Sequence, residues 1–314
     1  MKPDLIVICG PTASGKTALA VALAQTLNGE VVSADSMQVY RRMDIGTAKP
    51  TAEEMAGVPH HMIDVADPEE NYSVARYVQE AVPVVDDILA RGRLPIVAGG
   101  TGLYIDNLIA GREFAPFPAD TGLRESLQAR AKAGGLPALR EELARVDPEA
   151  ARRLHPNDEK RIIRALEVWY ATGKTITEHD RESRALPPRH TALTIGLDYA
   201  DRADLRERID RRVDEMMDRG LEAEVRALLD SGVSPGCTAM QAIGYKELAA
   251  ALAEGRPAEE GAEEIKLRSR QYAKRQLTWF RRNRDVRWFR WGSSPDFSQA
   301  LAFSTETAAR CGLQ

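Results

Sequence analysis

Asp4-Leu5-Ile6-Val7-Ile8-Cys9, followed at once by Gly10-Pro11-Thr12-Ala13-Ser14-Gly15-Lys16-Thr17, is the stretch that decides the fold. The short unbroken apolar run has the pattern of a strand buried on both faces. The next eight residues satisfy G-x-x-x-x-G-K-[ST] without a gap, and over residues 16–27 Leu19, Ala22 and Leu23 share one face of a helix. Strand, glycine-rich turn and helix in that order make a phosphate-binding loop. Glycines let successive N–H groups curl inward, the helix start adds positive potential, Lys16 neutralises phosphate oxygens and Thr17 can ligate magnesium. Gly10, Thr12, Ala13, Ser14, Gly15, Lys16 and Thr17 are thus the candidate diphosphate contacts, with Thr17 the expected Mg2+ ligand.

Outward from this unit, residues 30–34 read as a second strand, 74–90 as a helix, and 94–98 as a third strand ending in Gly99-Gly100-Thr101-Gly102. Alternating strands and helices predict an α/β core with a P-loop NTPase-like parallel sheet. The prolines around residues 114–118 break the pattern, and 121–184 show only helical periodicity, which predicts an inserted all-helical domain. After a second linker at Leu186-Pro187-Pro188-Arg189 the sheet resumes at 191–197. Long amphipathic helices follow at 201–229 and 259–279, and 286–291 form a last strand. The expected division is a core of 1–118 and 190–314 with a helical insertion at 119–189.

The chain has 314 residues, 43% hydrophobic and 29% charged, which is ordinary globular composition. Its longest apolar runs fall far short of the roughly 20 residues that span a membrane. With no signal-peptide core, a cytoplasmic protein without a membrane partner is expected. Cys9, Cys237 and Cys311 lack C-x-x-C spacing and read as free thiols. The net charge of −4 conceals an asymmetry. Residues 265–291 carry many Lys and Arg against Asp285 alone, with Tyr272, Trp279, Phe280, Trp288 and Trp291 interleaved. That composition suits phosphate contact and base stacking, although aromatic core packing looks the same in sequence.

The second strand leads into Ser33-Ala34-Asp35-Ser36-Met37-Gln38, at the carboxyl end of the sheet where ligands of such folds bind. Asp35 there is a candidate general base or magnesium ligand, and equally a turn former. Thr101 can turn its hydroxyl to the same phosphates or cap the helix that follows. The phosphate loop alone does not name the reaction, since kinases, hydrolases and enzymes with a diphosphate leaving group all use it.

These segments, with Pro59-His60-His61-Met62-Ile63-Asp64, Tyr72-Ser73-Val74-Ala75-Arg76-Tyr77, the block from His155 through Lys160-Arg161-Ile162-Ile163-Arg164 to Glu167, Gln241-Ala242-Ile243-Gly244-Tyr245-Lys246-Glu247 and Lys274-Arg275-Gln276-Leu277-Thr278-Trp279, resemble the tRNA dimethylallyltransferase family in its bacterial form. The resemblance implies transfer of a dimethylallyl group from dimethylallyl diphosphate to the exocyclic amine of the adenine 3′ of the anticodon. It implies Asp35 as base and Thr101 beside the leaving diphosphate. It also implies tRNA contacts at Ser36, Met37, Gln38, Gln241, Gly244, Lys274, Arg275, Gln276 and Trp279. The helical insertion, with Arg124, Lys160, Arg161, Ile162, Ile163 and Arg164, is then expected to hold the anticodon stem-loop. A monomer suffices. A small-molecule kinase, an adenylate isopentenyltransferase and an RNA-binding nucleotide switch remain the rivals. The basic, tryptophan-rich C-terminal region argues against the kinase, and the insertion argues for a polynucleotide acceptor.

Overall fold

The computed structural model describes residues 2–112 and 121–313, and the chain divides into two compact units, Met1–Gly111 with Arg189–Gln314, and Arg112–Pro188. The linker expected at residues 114–118, and with it the boundary drawn at 118, lies outside the described residues.

The first unit is built on a parallel sheet of β1 (Leu5–Cys9), β2 (Gly29–Ser33), β3 (His60–His61), β4 (Leu94–Gly99), β5 (Ala192–Tyr199) and β6 (Arg287–Trp291), in the order β3-β2-β4-β1-β5-β6. β1 is central, with Val7 level with Val97 of β4 on one side and Thr194 of β5 on the other. Its side chains alternate between two cores. Leu5, Val7 and Cys9 join one apolar cluster and Ile6 and Ile8 the other, so both faces are covered and the strand reads as one apolar run. Edge strand β3 has two residues, too few to leave a period that a sequence pattern could reveal. The chain leaves β1 toward β2 on one side and crosses from β4 to β5 on the other. The carboxyl end of β1 is therefore a topological switch point, where ligands bind in open α/β sheets.

The helices of the first half are α1 (Lys16–Thr26), α2 (Ala52–Met55), α3 (Val74–Ala90) and α4 (Gly102–Ala110). α3 buries Tyr77, Val78, Ala81, Val85 and Ile88 at helical spacing, and Ser73 caps it by accepting from the Arg76 N–H.

The second unit holds α5 (Thr121–Arg130), α6 (Leu136–Val146), α7 (Pro148–Arg153), α8 (Glu159–Thr172) and α9 (Ile176–Ala185), with no strand among its described residues. Leu127, Leu139, Leu143, Ile162, Ile163 and Leu166 form its core. Buried Asp147 caps α7 through the Ala150 N–H at 3.0 Å and accepts from the Thr177 hydroxyl at 2.7 Å, tying α9 to α7.

The chain returns through β5 to α10 (Arg202–Asp218), α11 (Leu221–Asp230), α12 (Tyr245–Ala253) and α13 (Ala258–Phe280), and ends after β6 in α14 (Phe297–Arg310). The single helix expected over 201–229 is two, because Gly220 sits at φ +94, where a right-handed helix cannot continue. Among the described residues no helix is long and apolar enough to cross a membrane.

Candidate active site

After β1 the chain turns at Gly10, where a Cβ would lie 2.5 Å from the Leu197 carbonyl oxygen on β5, so only glycine fits. Ala13 at φ +62 and Gly15 at φ +82 are left-handed, the alternation that turns successive N–H groups toward one centre. α1 starts without a side-chain cap at Gly15, which leaves its first N–H groups to an anion. Two side chains brace the loop from behind. Trp291 on β6 donates its indole N–H to the Ser14 carbonyl at 3.0 Å, and the Thr12 N–H donates to Oε1 of Gln276 at 2.8 Å. The expectation for Thr12 is narrowed accordingly: its backbone donor is spent inside the protein, although the residue lines the cavity.

Lys16 folds back over the loop, its ammonium donating to the Pro11 carbonyl at 2.6 Å. Burial, helped by Arg212 and opposed by Asp35, lowers its pKa from 10.5 to about 8. It and Thr17 line a cavity of about 640 Å³ that also takes in Asp35, Ser36, Met37 and residues 46–50.

Asp35 lies just past β2. One carboxylate oxygen accepts from the Met37 N–H at 2.9 Å, so the residue shapes the turn and also presents a carboxylate to the cavity. Thr101 stands at the N-cap of α4 but makes no cap bond; its hydroxyl accepts from the Ser36 N–H at 3.1 Å, which ties the β4 loop to the β2 loop. Tyr272 of α13 lies beside Thr101 and Gln276, and burial, with Asp35 nearby, pushes its phenol up to about 12. The Gln38 amide donates to the Thr47 and Ala48 carbonyls and accepts from the Ser33 hydroxyl. The tRNA contact expected at Gln38 is thereby narrowed, since both amide hydrogens are committed and only acceptor capacity remains.

Sequence reading missed the wall opposite the loop. Arg208 and Arg212, one turn apart on α10, line the cavity along one side of the buried stripe Leu205, Ile209 and Val213. The available signal was an arginine pair at i, i+4 flanking apolar core positions, which reads equally as a solvated helix edge. Burial depresses the Arg212 guanidinium, with Asp35 opposing. Among the described residues no cluster of His, Cys, Asp or Glu could hold a metal by itself. A hydroxyl, a carboxylate and the oxygens of a bound diphosphate nevertheless form the donor set that Mg2+ accepts, since that ion leans on substrate phosphates and one or two carboxylates. Thr17 and Asp35, which both line the cavity, fit it.

Of the residues expected to meet tRNA, Lys274 and Arg275 are exposed on α13, with Arg275 5.5 Å from the Tyr272 ring. Trp279 is half-buried. Its indole N–H donates to Asp106 at 3.0 Å, and its ring fills the space a Cβ on Gly102 would occupy. Gln241 is exposed and donates to the Pro235 carbonyl, and Gly244 lines the cavity at φ +103. Gln276 is 5% exposed with its amide held between two loops, which removes it from the RNA-contacting set. In the helical unit, Lys160, Arg161 and Arg164 are exposed on α8, with Arg161 2.7 Å from Asp158. Arg124 grips buried Glu167. Ile162 and Ile163 are core residues at 0% and 4% exposure, so the expectation of RNA contact is corrected for both: they hold the flanking cations in place.

The sequence model of the IPP transferase family matches residues 38–283. The chain is 48% identical over 302 residues to the tRNA dimethylallyltransferase of Geobacter sulfurreducens, covering 96% of each chain. It is 50% identical over 287 residues to that of Desulforudis audaxviator, covering 91% of each. Among solved structures it is similar to the full-length tRNA isopentenylpyrophosphate transferase of Bacillus halodurans, with a TM-score of 0.73, 44% identity and coverage of 99% of this chain and 98% of that one. It is also similar to a eukaryotic dimethylallyltransferase captured acting on tRNA, with a TM-score of 0.80, 32% identity and coverage of 98% of this chain and 79% of that one.

Proposed function

The chain belongs to the IPP transferase family, and from that premise we propose that it transfers the dimethylallyl group of dimethylallyl diphosphate to the exocyclic amine of the adenine 3′-adjacent to the anticodon of tRNA. The product is N6-isopentenyladenosine, and diphosphate is released. The observation that carries this reading is one cavity in which a carboxylate, Asp35, faces an inward-curled phosphate loop.

The chemistry follows from that pairing. A bond forms between the adenine amine and the allylic carbon, the C–O bond breaks, and its electron pair leaves with the diphosphate. The amine's lone pair is delocalised into the purine, so the amine must lose a proton as the new bond forms, and Asp35 accepts it. On the leaving side, the N–H groups of residues 13–17, Lys16, Arg208 and Arg212 stabilise the charge gathering on diphosphate. Thr17, with the oxygens of the substrate, would hold Mg2+, which would supply further charge neutralisation there. Thr101 orients the turn after Asp35 through the Ser36 N–H. An adenine must leave its stack to enter the cavity, at a cost of a few kcal/mol. Ser36, Met37, Gln241 and the exposed cations of α13 and α8 offset this by holding the anticodon stem-loop. The enzyme acts as a monomer, in the cytoplasm where its tRNA is.

The test is a transfer assay with labelled donor and unmodified tRNA, with AMP and ATP as competing substrates. In Asp35→Asn the amide oxygen keeps the turn bond to Met37 but cannot take the proton. Its kcat is expected to fall by roughly 10²–10⁴ with tRNA and donor affinities kept. Label on AMP alone, or phosphoryl transfer from ATP, overturns the reading.

A further inference from the structure

The catalytic cavity is assembled from two loops that come from different strands, the phosphate loop after β1 and the Gly99–Thr101 turn after β4. One buried side chain spans them. Gln276, 5% exposed on α13, accepts from the Thr12 N–H through Oε1 at 2.8 Å and donates through Nε2 to the Gly100 carbonyl at 3.0 Å. A Cβ on Gly100 would lie 2.1 Å from that same nitrogen, so the turn is stripped of a side chain where the amide enters. Tyr272, one helical turn earlier, lies beside Gln276 and Thr101.

From this geometry we infer that Gln276 is a positioning residue, a clasp that sets the phosphate loop at a fixed distance from Thr101 and the turn carrying Asp35. The inference rests on the proposed transfer reaction for its kinetic consequence, and on the phosphate loop alone for its effect on binding. The polarity of the clasp identifies the side chain. One end meets a donor and the other an acceptor, which an amide satisfies and a carboxylate does not. Asparagine has the right ends but is one methylene short. An ionised glutamate keeps the Thr12 bond and sets an oxygen against the Gly100 carbonyl oxygen. A protonated glutamate restores both bonds, its hydroxyl donating to Gly100.

The experiment compares wild type with Gln276→Glu, Gln276→Met and Gly100→Ala. It measures kcat for tRNA from pH 6 to 8, binding of inorganic diphosphate, and thermal unfolding. For Gln276→Glu, kcat relative to wild type is expected to climb as pH falls, by up to about tenfold per unit, because the neutral carboxylic acid is the competent form. Gln276→Met and Gly100→Ala are expected to weaken diphosphate binding by about tenfold, with no further loss when combined, because both remove the same clasp. A Gln276→Glu profile parallel to wild type overturns the inference, as does a Gln276→Met enzyme with wild-type kcat and diphosphate affinity. If Gln276→Met does not fold, the Gln276→Glu profile decides. If wild type transfers nothing to tRNA, the proposed reaction fails while the diphosphate titration still decides the clasp.

Discussion

At Lys16, burial and the Arg212 charge push the ammonium toward neutrality, while Asp35 and, after it, Cys9 pull it back. The resulting pKa of about 8 lies just above neutral pH, and a bound diphosphate raises it again by supplying opposite charge. The sign follows: below about 8 the free enzyme already holds the proton and binds the anion fully, and affinity is lost as pH rises through 8. Dimethylallyl diphosphate, titrated without tRNA, is therefore expected to bind roughly tenfold more weakly at pH 9 than at pH 7, with proton uptake near pH 8. Equal affinity at both values would mean that the ammonium does not face the ligand. Arg212 carries a second expectation. Since bonds to a charged partner contribute about 1.5–3 kcal/mol, Arg212→Ala is expected to weaken the donor by about 10–100-fold and leave tRNA affinity unchanged, measured by separate titrations. This pair of residues also marks the limit of sequence reading at this scale. Lys16 stands in a contiguous motif, whereas Arg212 reaches the cavity only because α10 packs beside it.

Elements were legible where a period ran long enough to count. The sheet strands around the phosphate loop, α3 at Val74–Ala90 and α13 at Ala258–Phe280 all lie where the apolar spacing puts them. The two-residue β3 left no period, and the interruption between α10 and α11 rested on a single glycine. Contacts between elements were opaque for a different reason: Thr12 to Gln276 and Ser14 to Trp291 are side chain to backbone bonds across more than two hundred residues, with no local pattern. β6 shows what such a contact does. Although the strand lies beyond the family match at 38–283, its last residue holds the phosphate loop from behind. Trp291→Phe removes the indole donor and keeps an aromatic ring. One hydrogen bond of about 0.5–1.5 kcal/mol is lost, so diphosphate binding is expected to weaken by about two- to tenfold in a titration at constant pH. In the helical unit the same logic concerns packing. Ile162→Ala, at a fully buried position of α8, is expected to cost about 2–5 kcal/mol in denaturant unfolding of that unit, with any loss of tRNA binding following from unfolding.

At the scale of the whole chain, the helical unit is an insertion whose removal is expected to leave the sheet's register intact. The ends it interrupts are already joined within the core. The Arg189 N–H reaches the Ala110 carbonyl at 3.4 Å and the His190 N–H reaches Ile109 at 3.1 Å, so the chain leaves and re-enters at one place. A short flexible linker between residues 111 and 189 therefore closes the core without stretching it, at a loop entropy that changes only slowly with length. Every residue named here around the diphosphate belongs to that core, from the loop at 10–17 to Trp291. Lys160, Arg161 and Arg164, among the expected stem-loop contacts, belong to the insertion. Replacing residues 112–188 by such a linker is thus expected to leave dimethylallyl diphosphate affinity within about threefold of the full chain, because no contact to that ligand is removed. Affinity for tRNA should fall, and its dependence on salt should become shallower, because fewer phosphates are neutralised and fewer counterions released. Fluorescence titrations of both ligands at several salt concentrations measure this. An unchanged salt slope would place the stem on α13 and the sheet edge instead, and a lost donor site would show that the insertion supports the phosphate loop as well.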